Sequence, residues 1–156
     1  MLIGIAQVEH AVGTANALAT GVALAGGLSN SKGNVYFFST NSGQWGALCA
    51  DRFTANDANT VCQQLGFSRA REFYGTAAGA TAGGNHFGAV PSPFRILSGI
   101  EPVPVVSGST GVGCAAPATP LVPLQRCANF ADATNLGASP PPACPSNEVA
   151  GVECAP

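Results

Sequence analysis

Cysteine is the residue type in this chain whose number and spacing point most directly to chemistry. The sequence of 156 residues contains six cysteines, none in a C-x-x-C pair or in a Cys/His cluster with the spacing of zinc ligands. Such an even set favours disulfides over a zinc site or buried free thiols, and disulfides indicate an oxidising, extracytoplasmic compartment. Six cysteines allow about 15 pairings, so the residues alone leave the connectivity open.

The other polar residues form no pattern typical of an enzyme. The eight acidic residues are scattered, and the two histidines, His10 and His86, stand alone without a matching acid and nucleophile. An enzyme site would need a nucleophile with a base in reach, paired carboxylates or metal ligands. We therefore predict a protein without catalytic activity.

One short helix can be predicted from its end signals. Thr54 is a suitable N-cap, Asp57 completes a capping box three residues later, and Gly66 follows the last apolar position as a stop signal. These signals predict a helix over residues 55–65. Its apolar positions follow the helical period and direct one cysteine into the core: Ala58, Val61, Cys62 and Leu65.

Two segments of the chain resemble the scavenger receptor cysteine-rich family. Residues 43–67, GQWGALCADRFTANDANTVCQQLGF, fit the family's W-G-x-x-C-x-D segment followed by N-D-A-N-x-V-C-x-Q-L-G-F. Residues 144–154, CPSNEVAGVEC, fit its closing C-x-x-x-E-x-A-G-V-x-C. Between these two segments, residues 124–127 match the L-x-x-C of the family. Before them, VALAGG at residues 22–27 is similar to the opening strand and Gly pair of the family. The resemblance therefore extends over about residues 21–154.

The resemblance implies a specific disulfide pairing. The family pattern pairs Cys49 with Cys144, Cys62 with Cys154, and Cys114 with Cys127. The first two bonds would close long loops and the third a short one. In the chain-entropy model a long loop contributes roughly 4 to 5 kcal/mol and the short one about 3 kcal/mol.

The expected fold is an α+β unit in which a small curved antiparallel sheet cradles one α-helix, with long loops and three disulfides. A chain of this length with 20 Gly and 12 Pro supports one core, so we predict a single domain over residues 21–156 after an N-terminal extension, 1–20, of unknown role. No apolar run reaches the roughly 20 residues that span a bilayer, which predicts no transmembrane helix. Two stretches rich in Pro, Gly or Ser are predicted to be inserted loops: 102–113 and 129–142. The predicted strands are 22–24, 35–38, 45–48, 94–100 and 149–154.

Calcium is the one cofactor that the resemblance implies. Many members of the family bind calcium through two neighbouring aspartates and a later glutamate, and Asp51 and Glu148 occupy two of these positions. Ala50 stands where the first aspartate would be. Because calcium prefers six to eight oxygen ligands, we expect weak binding or none, and no required cofactor. The alternative is that Asp51 caps the turn and Glu148 meets Arg52 or water.

Charge and aromatic content indicate the kind of partner. The formal net charge is -2, so no long-range field would steer a polyanion to the chain, and nucleic acid is not an expected partner. Three cations are candidate contact residues: Arg52, Arg69 and Arg71. Three aromatic residues are further candidates for an exposed patch, the alternative being that the inserted loops cover them: Tyr36, Phe38 and Tyr74.

Two functional classes follow from these observations. The first is a non-catalytic extracellular or cell-surface module that binds a protein or glycan, as the resemblance implies. The second is a structural subunit of a cell-surface, extracellular matrix or filament assembly, formed by self-assembly or with neighbours. The second is favoured by the low content of charged residues, 9%.

Overall fold

The computed structural model describes residues 21–27, 29–39, 44–87, 106–107, 112–116, 121–128, 130 and 148–156. Within this part of the chain, six strands, one α-helix and one 3-10 turn follow one another. The elements are β1 (Val22–Gly26), β2 (Lys32–Ser39), β3 (Gln44–Leu48), α1 (Ala55–Gln64), β4 (Arg69–Tyr74), β5 (Val106–Ser107), the 3-10 turn (Leu124–Arg126) and β6 (Gly151–Ala155).

The six strands form one sheet around the long strand β2. Strands β1, β3 and β6 all pair antiparallel with β2, and β4 pairs antiparallel with β6. The order along the sheet is β4-β6-β2-β3-β5, with β1 pairing β2 off this path. Only β5 runs parallel to its neighbour, β3, among the strands described. The predicted α+β fold, a small antiparallel sheet with one helix and disulfides, is therefore confirmed.

Both ends of α1 follow the local signals in the sequence. The Thr54 side chain accepts a hydrogen bond from the Asp57 N–H, and the Asp57 carboxylate accepts one from the Thr54 N–H at 2.9 Å, which completes the capping box. At the other end, Gly66 has a φ of 94°, a left-handed conformation that glycine adopts readily. The N–H of Phe67 then donates to the Cys62 carbonyl at 2.9 Å, as in a Schellman motif. The observed helix ends one residue before the predicted end.

The helix packs on the sheet through a buried apolar face. Ala58, Val61 and Cys62 are fully buried, and they lie in one core with residues of several strands. The core residues contributed by the strands and the loops include Val22, Leu24, Val35, Leu48, Phe53, Val152 and Leu124. Burial of these side chains fixes the helix against the centre of the sheet.

Two of the expected disulfides lie wholly within the described residues. Cys62 in α1 bonds to Cys154 in β6, and Cys114 bonds to Cys127, with sequence separations of 92 and 13. Cys49 is also disulfide-bonded, and its expected partner, Cys144, lies outside the described residues. None of the five described cysteines is a free thiol.

Side chains of the helix hold the segment around the second disulfide. The second carboxylate oxygen of Asp57, which is fully buried, accepts a hydrogen bond from the Cys114 N–H at 2.9 Å. Gln64 accepts from the Leu124 N–H at 2.6 Å and donates to the Gln125 side chain at 3.2 Å. The capping box therefore also determines where a distant loop meets the helix.

Two strands were not predicted from the sequence: β4, and the short β5, which lies within the expected inserted loop 102–113. Strand β4 begins at Arg69, directly after the helix exit, and pairs with β6 through a register shift between Ala70 and Glu72. This irregularity disrupts the alternation of buried and exposed residues that usually marks a strand. The predicted strand over 94–100 lies outside the described residues, as do residues 1–20, 131–142 and most of 102–113. Within the last of these ranges, the short strand β5 pairs with the edge of β3.

Candidate functional site

The two carboxylates singled out in the sequence lie on neighbouring backbone segments. The Ala50 N–H donates to the Glu148 carbonyl at 3.0 Å, and the Ala150 N–H donates to the Leu48 carbonyl at 2.8 Å. Cys49 and Val149 form an antiparallel bridge between these two bonds. This pairing brings the turn that begins at Asp51 next to the segment that carries Glu148, although the two are almost a hundred residues apart in sequence.

A third segment closes over Glu148. One carboxylate oxygen of Glu148 accepts a hydrogen bond from the Gly84 N–H at 3.0 Å. A Cβ atom on Gly84 would lie 2.7 Å from the Cβ atoms of both Ala50 and Glu148, so only glycine allows this close approach. Asn85 then forms two bonds with Val149, its N–H donating at 2.9 Å and its side-chain oxygen accepting at 2.8 Å.

The turn after Cys49 holds Arg52 in an unusual conformation. Arg52 is exposed and has a φ of 54°, in the left-handed region that costs free energy for a residue with a side chain. Its N–H donates to the Thr76 hydroxyl at 3.1 Å, and the Thr76 N–H donates to the Ala50 carbonyl at 3.1 Å. We call residues 50–54, 75–87 and 148–150 together the loop edge.

The loop edge does not match a full set of calcium ligands. No group of three or more His, Cys, Asp or Glu side chains suited to a metal occurs in the part of the chain that the structure describes. Ala50 supplies no side-chain oxygen, and one oxygen of Glu148 is already engaged by Gly84. Asp51 and Glu148 would thus provide at most two of the several carboxylates that calcium sites typically use.

An aromatic cluster joins the loop edge to the end of β4. The rings of Tyr74 and His86 are parallel, with centroids 3.8 Å apart, and Phe87 packs edge-on against both. The Tyr74 hydroxyl donates to the Glu72 carboxylate at 3.1 Å. Burial, this hydrogen bond and the nearby Glu72 and Glu153 charges raise the pKa of Tyr74 to about 12. Sequence analysis missed this cluster because its residues lie on either side of a loop.

Two of the three predicted aromatic contact residues lie in the interior. Tyr36 and Tyr74 are only 4% and 3% exposed, since their rings pack within the sheet and the stack, whereas Phe38 is half-buried. Burial raises the pKa of the Tyr36 phenol, an effect that a hydrogen bond with Asn34 opposes. The prediction that Tyr36 and Tyr74 form an exposed patch is corrected accordingly.

The remaining candidate arginines lie on β4 and not in the loop edge. The Arg71 side chain is 53% exposed and pairs with the Glu153 carboxylate at 3.3 Å. Arg69 is exposed, and its guanidinium donates to the neighbouring Ala70 carbonyl at 3.2 Å. The structure therefore does not group these two arginines with Arg52 on one segment.

The described residues include no helix that is both long and apolar enough to cross a membrane.

Comparison with known proteins gives three findings. The family model described as scavenger receptor cysteine-rich domain matches residues 25–90. A scavenger receptor cysteine-rich domain superfamily protein of Patiria pectinifera is 44% identical over 45 residues, and the match covers 29% of this chain and 4% of that protein's length. The third SRCR domain of murine neurotrypsin, solved by crystallography, has a TM-score of 0.47 and 24% identity, with 85% of this chain and 94% of that chain covered.

Proposed function

We propose that this chain is a non-catalytic extracellular module of the scavenger receptor cysteine-rich type that binds a protein or glycan through the loop edge. Support comes from the match of residues 25–90 to the model of that family. Domains of this family are extracellular or cell-surface modules. The binding surface and the class of ligand are our inference from the geometry described above.

The observation that carries this proposal is a set of hydrogen bonds that joins three loop segments at the surface. Three segments that are distant in sequence are joined by hydrogen bonds from Ala50 to Glu148, from Thr76 to Ala50 and from Gly84 to Glu148. Binding residues often lie on loops that a rigid scaffold positions. Loops already fixed in place lose little conformational entropy when a partner binds, which favours affinity.

Arg52 is the residue of the loop edge best placed to contact a partner. It is exposed, and within the described residues its guanidinium takes part in no ion pair. The left-handed backbone at Arg52 costs free energy, and strained residues of this kind cluster at functional sites. A guanidinium presented in this way suits a carboxylate on a protein or an acidic sugar on a glycan.

Calcium is not part of the proposed binding mechanism. Asp51 and Glu148 offer too few oxygen ligands for tight binding, as the ligand set above indicates. We therefore propose that recognition depends on the protein side chains and proceeds without a metal ion.

The structural-subunit alternative predicts an exposed apolar surface. Among the described residues, Val122 is the one large hydrophobic side chain that is exposed, and Tyr36 and Tyr74 are buried. The described residues thus offer no observation in favour of the alternative, and we keep it as an outcome of the test.

The proposal is tested by presenting the oxidised, purified chain in multivalent form to arrays of extracellular proteins and glycans. We expect saturable binding to at least one ligand that falls about tenfold in Arg52→Gln and is unchanged when calcium is chelated. Lys32→Gln is the matched control, because it removes the same charge outside the loop edge.

Two results would contradict the proposal. Binding that is equal in Arg52→Gln and wild type would place recognition elsewhere on the domain. Self-association at fixed stoichiometry, measured by light scattering and without ligand binding, would establish the structural-subunit alternative instead.

A further inference from the structure

A second candidate surface is a concavity around the disulfide between Cys114 and Cys127. It borders the loop edge at Asp57, whose carboxylate accepts both the Thr54 N–H and the Cys114 N–H. It is a groove of about 210 Å³ whose walls are Thr60 of α1, the disulfide and small residues on both sides of it. Val122, which is 51% exposed, and Arg126 complete the lining. The surface is thus mostly apolar, with one charged group.

The walls of this groove are fixed before any partner arrives. The disulfide joins the two segments that flank it, and the Asp57 carboxylate holds the Cys114 N–H at 2.9 Å. Gln64 holds the Leu124 N–H at 2.6 Å, in the segment between Val122 and Arg126. A preformed apolar concavity loses little entropy on binding, and an exposed aliphatic side chain at its edge gains by being covered.

The positive charge of Arg126 determines which kind of partner segment the groove would bind. It is the only charged residue of the lining and is exposed. Its guanidinium forms no ion pair with any residue that the structure describes, unlike Arg71, which pairs with Glu153. A carboxylate placed beside it would form a charge-assisted hydrogen bond without having to displace an internal partner.

The size of the groove determines the class of occupant. Sites for whole small-molecule ligands are typically about 300 to 1,000 Å³. At about 210 Å³, this groove is better suited to one aliphatic side chain of a larger molecule. Since the net charge of -2 would not attract a polyanion, the acidic group is expected to be local and next to that side chain.

We propose that this groove is a docking site for a partner-protein segment in which an aliphatic side chain is followed by a carboxylate. The aliphatic side chain would cover Val122 and the disulfide, and the carboxylate would pair with Arg126. This inference rests on the proposed binding function and adds a second contact surface, with its own specificity, to the loop edge.

The test uses two probes that differ only in charge, acetyl-Leu-Glu-amide and acetyl-Leu-Gln-amide. Each is titrated into the oxidised, isotope-labelled chain, and amide chemical shifts are followed by NMR. We expect the acidic probe to shift amides that line the groove, at millimolar concentrations, and the neutral probe to bind about tenfold more weakly. Arg126→Gln should reduce the affinity for the acidic probe to that of the neutral one, whereas the charge-matched control Lys32→Gln should not.

The apolar half of the proposal is tested by Val122→Ser. This variant should weaken the binding of both probes by a similar factor. Ala78→Ser, at an exposed position outside the groove, should leave the binding of both probes unchanged. All of these side chains lie partly or largely at the surface, so their substitution should leave the fold intact. The spectrum of each variant checks this.

Three results would overturn the docking site. The first is equal binding of the two probes, and the second is chemical shift changes confined to residues outside the groove. The third is concentration-dependent self-association that Val122→Ser abolishes, since this would show that the groove binds a second copy of the chain. If Arg52→Gln still weakens binding to an array ligand about tenfold, the proposed function stands and only the groove is rejected. If the probes bind but no array ligand is found, the failure lies with the proposed function.

Discussion

The two candidate binding regions of the domain, the groove at the disulfide and the loop edge, are held by different kinds of bond. Around Cys114 and Cys127, a disulfide and two helix side chains, Asp57 and Gln64, hold the backbone. In the loop edge, most of the bonds run from backbone to backbone. Single side-chain bonds of Thr76, Asn85 and Glu148 and the close packing at Gly84 are added to them. The shape of the groove therefore depends on a few specific residues. The loop edge is expected to keep its shape when its exposed side chains are changed.

The largest effect on stability is expected from removing the disulfide between α1 and β6. Replacing Cys62 and Cys154 together with alanine frees a loop with a sequence separation of 92 and should lower the free energy of unfolding by about 4 to 5 kcal/mol. Denaturant unfolding measures this loss. The matched control, Cys114→Ala with Cys127→Ala, should cost about 3 kcal/mol, and equal losses in the two variants would contradict the comparison.

The next effect concerns the buried carboxylate of α1. Asp57→Ala leaves the N–H groups of Thr54 and Cys114 without their acceptor and should lower the free energy of unfolding by about 2 to 3 kcal/mol. Hydrogen exchange at the Cys114 amide should accelerate in the same variant. Asn56→Ala, at the exposed neighbouring position, is the control, and an equal loss there would show that general helix stability is the cause.

A pair of adjacent glycines tests the packing of the loop edge. Gly84→Ala places a Cβ 2.7 Å from the Cβ atoms of Ala50 and Glu148, so it should lower the free energy of unfolding by about 1 to 3 kcal/mol and loosen this edge. The nearest contacts of a Cβ on Gly83 are 3.7 and 3.9 Å, and Gly83→Ala should be tolerated. Hydrogen exchange of residues 148–150 distinguishes the two variants. Similar exchange in both would refute the packing argument.

The aromatic stack predicts an alkaline limit to stability. Because the pKa of Tyr74 is raised from 10.0 to about 12 in the folded chain, its stabilising contribution is complete below about pH 10 and is lost as the pH rises towards 12. The raised pKa of Tyr36 acts in the same direction. Ultraviolet titration of Tyr36→Phe isolates Tyr74, and a midpoint near pH 10 would contradict the environment described for its ring.

Calcium is expected to have the smallest effect. Isothermal titration calorimetry of the wild-type chain should give no heat, or heat only at millimolar calcium, because Asp51 and Glu148 supply too few ligands. Any residual heat should disappear in Asp51→Ala. Binding at micromolar calcium would mean that further ligands complete the site and that the loop edge is a metal centre.

Local signals in the sequence predicted the parts of the fold that depend on neighbouring residues. Thr54, Asp57 and Gly66 gave the ends of the helix because capping involves atoms only a few residues apart. Strand β4 was missed because Arg69–Tyr74 contains few residues with high β-propensity and becomes a strand by pairing with β6.

The candidate site was less accessible to sequence analysis for a related reason. The motif positions indicated Asp51 and Glu148, but the roles of Gly84 and Asn85 depend on contacts with segments some 64 residues away. The second bond of Asp57, to Cys114, spans 57 residues and gives a capping residue a further role that no local pattern indicates.

The position of β6 has a consequence for how the chain reaches this structure. The strand closest to the end of the sequence lies in the interior of the sheet, between β2 and β4. During synthesis, β2 and β4 therefore emerge from the ribosome long before the strand that joins them, and their unpaired edges must be kept from other chains. Strands β1, β2 and β3 can pair before the end of the chain is made, whereas β4 is expected to join the sheet only after residues 151–155 have emerged, with the slow kinetics typical of pairings between distant segments.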